Sequence, residues 1–203
     1  MAIIAASTAL RVRRMVFGVK RFDVNELSGE SGVSADRALG PPRWTLSLSS
    51  PDNIADSDMD VWRAMLVQLR GRVNHLSIWD YARPAPRGTM RGTMTLSGSH
   101  SIGATTITVF ASGQGSATLK AGDWLQIGSG LTGQLVMVMA DATASTGTIT
   151  LTCEHPLRAA YSNGTSVTWD KALGHYKAMS APSWTRENGL LESGATIDLI
   201  EQW

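Results

Sequence analysis

The side chains able to do chemistry are scattered along the chain rather than gathered into a motif. The four histidines, His75, His100, His155 and His175, lie in separate segments, without the short spacings that bring two imidazoles to one zinc ion. Isolated positions of this kind suit surface or packing roles. Cys153 sits among threonines in a strand-like run, where a small buried hydrophobe fits better than a nucleophile, and no serine stands in a nucleophile-elbow context. Glycoside cleavage needs two carboxyl groups held a fixed distance apart, and the best acids are Asp123 and Glu154. Asp123 follows a turn glycine, where aspartate makes local hydrogen bonds, and Glu154 precedes His155-Pro156 at a strand end, so both have structural explanations. Gly128, Gly130 and Gly133 lack the Lys-Ser/Thr and the helix start of a phosphate loop and read as a hairpin tip. Seven tryptophans (Trp44, Trp62, Trp79, Trp124, Trp169, Trp184, Trp203) could form a sugar-stacking platform. Most alternate with aliphatic residues as core side chains do, which leaves Trp203 and Trp79 the freest. The pattern points away from catalysis and implies no metal and no cofactor.

Composition narrows the class further. A chain of 203 residues with 43% hydrophobic content can build one large domain or two small ones without staples. A single cysteine excludes an intrachain disulfide and suits a reducing cytoplasm. The net charge of +1 conceals an uneven distribution: Arg63, Arg70, Arg72, Arg83, Arg87 and Arg91 face one acid, Asp80, while Asp52, Asp56, Asp58 and Asp60 precede them. Such clusters suit a solvated surface, a subunit interface or a channel wall. The opening MAIIAASTAL has no basic residue before its short apolar stretch and reads as a strand lead-in rather than a secretory signal. The longest apolar run elsewhere, 135–140, is far below the roughly 20 residues that span a bilayer, so no membrane partner is expected.

The elements that must position these residues are mostly strands. β-branched and aromatic residues over 10–24 predict a long strand, bent or bulged near Gly18, followed by an extended loop or arm over 25–40 ending at Pro41-Pro42. Residues 43–49 alternate, with Trp44, Leu46 and Leu48 on the buried face and Trp44 as a core anchor. The one helix is expected over about 59–70, with Val61, Trp62, Met65, Leu66 and Leu69 on one face, Ser57 or Asp58 as its cap and Gly71 as its stop. A strand over 76–79 and a proline- and glycine-marked link over 83–92 follow. From Gly92 to Trp169 only Lys120, Asp123, Asp141, Glu154 and Arg158 are charged, in a background of Thr, Ser, Gly and Val. Strand candidates there lie at 93–96, 105–110, 123–127, 135–140, 148–153 and 166–169, as in a small barrel or sandwich. Two closing strands, 175–184 and 195–200, flank Arg186-Glu187-Asn188-Gly189. They cannot stand alone as a hairpin and should complete the sheet begun by residues 1–90. The expected fold is therefore mainly β with one α-helix. A discontinuous, β-sandwich-like domain comprises 1–91 plus 171–203, and an inserted small β-barrel or sandwich comprises 92–170.

The N-terminal strand module, the helix with its WRAMLVQLRGRVNHLSIWDYARPAPRGTMRG continuation, the insert with LKAGDWLQIG and HPLRAAYSNGTSV, and the closing ATIDLIEQW together resemble minor tail proteins of long-tailed bacteriophages and prophages, most nearly the distal tail protein. The resemblance implies a structural virion protein assembled in the bacterial host cytoplasm. It implies a ring, usually of six subunits, between the tail tube protein and the tail hub or tip protein, with a central channel for the tape measure and DNA and a second β-domain projecting outward. In such a ring the strand over 10–24 and the loop over 25–42 become candidates for intersubunit pairing, and Arg11, Arg13, Arg14, Lys20 and Arg21 for interface or channel contacts. The alternative expectation is a carbohydrate-binding or host-receptor-binding module, in which the insert meets a surface glycan through Trp124.

Overall fold

The computed structural model describes residues 1–27, 34–185, 191–192 and 194–202. Trp203 and the segment Arg186-Glu187-Asn188-Gly189 lie outside them. In chain order the elements are β1 (Ile3–Ala5), β2 (Arg14–Leu27), β3 (Ser34–Ser49), β4 (Ile54–Ala55), α1 (Asp56–Gln68) and β5 (His75–Ile78). Then come β6 (Met94–Leu96), β7 (Thr106–Ala111), β8 (Thr118–Leu119), β9 (Trp124–Ile127), β10 (Gln134–Met137), β11 (Ala142–Thr143), β12 (Thr148–Thr152) and β13 (Ser166–Thr168). The chain closes with β14 (Gly174–Ala178), β15 (Leu191–Glu192) and β16 (Thr196–Glu201).

Among the described residues the fold is mainly β with a single α-helix and several sheets, one of them curled into a half-barrel. Strands from both ends of the chain share one sheet, in the order β1-β5-β14-β16-β3-β2, here the outer sheet. Strands from the middle form a second, in the order β10-β9-β13-β6-β7-β12, the middle sheet. Each sheet has its own apolar core. One core gathers Trp44, Leu46, Leu48, Leu76, Tyr176, Ile197 and Leu199 under the helix residues Met59, Trp62, Met65, Leu66 and Leu69. The other gathers residues such as Leu96, Ile107, Val109, Leu125, Ile127, Leu151 and Val167. Trp124, Leu135 and the half-buried Met137, although on middle-sheet strands, pack into the first core and join the two.

Local departures from the expected elements have local causes. The long strand starts at Arg14 rather than at residue 10, because Leu10 turns back to donate its N–H to the Ser7 carbonyl at 3.0 Å. Gly18 stays in register with Thr45, and the irregularities fall between Lys20, Phe22 and Asp23 instead. That stretch lies opposite Pro41-Pro42, which cannot donate ladder hydrogen bonds, so the register slips there. Of the stretch expected as a loop, 25–27 and 34–40 are instead ladder, with Asn25 paired to Asp36 and Leu27 to Ser34, while 28–33 lie outside the described residues. Cross-strand hydrogen bonding prevails over the Ser, Gly and Asp content. The described side chains of 23–25 and 36–39 are exposed, so this hairpin lies outside the core.

The helix begins three residues earlier than expected. Ala55, extended at φ −63° and ψ 145°, occupies the N-cap with no side-chain cap bond, because β4 leads straight into the helix. Ser57 and Asp58 therefore do not cap it; Asp56 and Asp58 instead place negative charge in the first turn, where the helix dipole favours it. Arg63 pairs with Asp56 at 3.0 Å and with Asp60 at 2.8 Å. Arg70 and Gly71 follow with φ of 47° and 66°, and this left-handed pair ends the helix.

Elsewhere β14 stops at Ala178, short of the expected 184, leaving Ser183 with a single bridge to Thr196. The two-residue strands β8 and β11 pair with each other and are too short to leave a periodic signature. The link over 83–92 lies against the small β8–β11 pair and the second core: a Cβ on Gly88 would sit 2.1 Å from the Thr118 carbonyl, and Met90 is fully buried in that core.

Candidate functional site

The five cations singled out from the sequence are exposed, and the structure does not gather them into one patch. Arg11 pairs with Asp58 at 3.0 Å and Arg13 with Asp52, both beside the helix. Arg14 and Lys20 share the face of β2 opposite Met15 and Phe17, with Lys20 5.5 Å from the Phe22 ring. Arg21 pairs with Glu154, which follows β12, and so ties the outer sheet to the middle one. Exposed pairs of this sort contribute little stability each and act as orienting contacts.

Trp124 requires a correction. It is 8% exposed, with Phe17 at 5.3 Å and Trp44 at 4.8 Å between ring centroids, so it cannot stack on a sugar. It sits at the start of β9, where its side chain crosses into the core of the outer sheet. Trp79 is half-buried, edge-on to Tyr81 at 4.8 Å.

The two acids weighed for catalysis have structural partners. Asp123 is fully buried, and its carboxylate accepts the backbone N–H groups of Arg87 at 2.7 Å, Gly88 at 3.1 Å and Lys120 at 2.7 Å. It pins the 83–92 link to the turn before β9. Glu154 is held by Arg21. Cys153 is buried, and burial pushes its thiol up to about 12, which leaves it protonated and unreactive. His75 and His175 lie on the same face of adjacent strands, since His175 pairs with Ser77, and burial is the first cause that lowers both. Among the described residues no three of His, Cys, Asp and Glu come together as metal ligands would.

The most distinctive site lies where the two sheets meet, and the sequence reading missed it. Trp44 on β3 is its centre. The Trp44 ring stacks on His155 at 4.0 Å and 27°, and its indole N–H donates to the Leu135 carbonyl at 3.2 Å. The backbone N–H of Trp44 donates to the Glu201 carboxylate at 3.0 Å, and Arg158 donates to the same oxygen. Glu201 is on outer-sheet strand β16, whereas Arg158 belongs to the middle segment, so this ion pair spans the junction. Both side chains are buried, 3% and 8% exposed. Gln134 braces the segment, accepting from the Arg158 N–H at 2.9 Å and donating to the Pro156 carbonyl at 3.0 Å. A cavity of about 190 Å³ opens beside it, bounded by Leu131, Gln134, Arg158, Tyr161 and Gln202.

Burial governs the electrostatics of this junction. It raises the Glu201 carboxyl above its ordinary value, an effect that the Arg158 hydrogen bond opposes. Burial, then the Arg158 charge, hold His155 down at about 4, so the imidazole is neutral at physiological pH. No protein-family model matches the chain, and no curated protein matches it. Among the described residues, what this junction supplies is contact between the two sheets, through the Trp44–His155 stack and the Arg158–Glu201 ion pair. Only the step from Glu154 through Arg158 in an otherwise nearly uncharged segment marked this region in the sequence, because its partners lie far away along the chain, Trp44 more than a hundred residues before it and Glu201 43 residues beyond Arg158.

Proposed function

We propose that the chain is a non-enzymatic structural subunit of a phage or prophage tail tip, of the distal tail type. It closes with copies of itself, six in the expected arrangement, into a ring between the tail tube and the tip hub. The tape measure and then DNA pass through the central channel. The observation that carries this reading is the β2–β3 hairpin. It continues past the core, β2 forms an edge of the outer sheet, and Val16, Val19, Val24 and Leu39 are exposed along it. A long edge strand left open and lined by valines invites pairing with another chain, and monomeric proteins usually blunt such edges with charge, proline or bulges. The irregular register near Lys20 and the charges of Arg14, Lys20, Arg21 and Asp23 blunt only part of this one. Repeating one such heterologous contact about an axis produces a ring. Arg11, Arg13, Arg14, Lys20 and Arg21, all on or beside β2, then contribute charged interface or channel contacts.

Purified tail particles from the host of origin provide the test. Gold-labelled antibody against the chain should mark one end of each tail, between tube and tip. Labelling absent from particles, or distributed along the tube, would contradict the assignment.

A further inference from the structure

The Trp44–His155 stack holds the two sheets together with a residue that burial keeps neutral where it sits. His155 is 1% exposed, and neither ring nitrogen has a hydrogen-bond partner. Protonation in place would bury two N–H donors without acceptors and add a positive charge next to Arg158. We propose that this junction is an acid-sensitive latch: uptake of a proton drives the His155 ring off Trp44 and releases the middle sheet from the outer one.

The surrounding charges fit such a device. Arg21 from β2 and Arg43 from β3 approach the junction from the outer sheet, together with Glu201 from β16. Glu154 and Arg158 come from the segment of His155 itself. The two carboxylates that could receive an imidazolium are committed, Glu154 to Arg21 and Glu201 to Arg158. Opening the junction gives His155 water as its partner and lets it titrate near its ordinary value.

The sign follows from linkage. A group depressed in the closed form weakens that form as pH falls from its free value, near 6.5, toward its closed value of about 4. His155 alone would favour the open form about thirtyfold at pH 5 relative to neutral pH. Glu201 acts in the opposite sense, because its raised carboxyl binds a proton more readily when closed, so the net change lies below that limit. The latch is a property of the single chain and stands independently of ring assembly.

Amide hydrogen exchange of the full chain, corrected for intrinsic rates and read by mass spectrometry at about pH 7.5 and about pH 5, tests it. The latch predicts faster exchange in 43–46, 134–137 and 155–158, by more than about threefold and up to about thirtyfold. The β7–β12 ladder should stay protected, and the change should reverse on neutralisation. His155→Phe keeps an aromatic stack but cannot take a proton, so its junction exchange should stay within about twofold between the two conditions. Three results would overturn the proposal: junction exchange in the natural chain that rises less than about threefold, a His155→Phe chain that opens at the same pH, or simultaneous loss of protection in the β7–β12 ladder. If His155→Phe does not fold, the natural chain's pH series still decides the matter.

Discussion

Replacing Arg158 by methionine should cost about 3–5 kcal/mol of stability, measured by denaturant unfolding at neutral pH. The substitution keeps the aliphatic packing but leaves the Glu201 carboxylate buried, with the Trp44 N–H as its remaining donor among the contacts described. A buried ion pair is weak evidence of net stabilisation, whereas stranding one member is costly, because the remaining charge must be desolvated without compensation. Two refinements separate this mechanism from simple loss of packing. Adding Glu201→Gln to Arg158→Met should recover part of the loss, so that the double variant is more stable than Arg158→Met alone. The penalty should also shrink on acidification. Without Arg158 the raised Glu201 carboxyl rises further, and a carboxyl raised by folding costs stability only as pH climbs above its unfolded value. A penalty that did not change with pH, or a double variant with additive losses, would show that the ion pair does not govern the junction.

Truncation of Trp62 to alanine should cost a comparable 3–5 kcal/mol or so, from a different source. Trp62 is fully buried on the inner face of α1, among Met59, Met65 and Leu66, and is one of the largest side chains in the outer-sheet core. Its indole N–H donates to the Arg11 carbonyl at 2.8 Å, which also ties the lead-in of β2 to the helix. Alanine would leave a cavity and an unpaired backbone carbonyl, because a close-packed core relaxes only in part around so large a deletion. Trp62→Phe should lose less, retaining most of the volume and forfeiting the hydrogen bond. Thermal unfolding of the two variants beside the natural chain checks the order. Equal losses for Phe and Ala would mean that the hydrogen bond, rather than the volume, dominates.

What the sequence revealed, and what it hid, follows from the range of each interaction. Alternation over 43–49 placed Trp44, Leu46 and Leu48 on the buried face, because the inward face of a strand is written into every second residue. Helical spacing likewise found Trp62, Met65, Leu66 and Leu69. The hairpin partner of 34–42 was not legible, since its Ser, Gly, Asp and Pro content suggests a loop and only the ladder to β2 makes it a strand. Trp124 illustrates the same limit: its side chain belongs to a core formed mainly by residues far away in the chain. The Trp44–His155–Arg158–Glu201 junction was hidden for that reason too. A stack and an ion pair joining residues 44, 155, 158 and 201 leave no spacing to read.

Copies of this chain are proposed to assemble through the exposed β2 edge into a closed ring. Light scattering of the purified full chain, with negative-stain images of the same fraction, tests it most directly. Six copies of a 21.7 kDa chain give about 130 kDa, and the images should show rings with a central hole. A single species at 21.7 kDa at the highest concentration reached, with no ring in any field, would contradict the account.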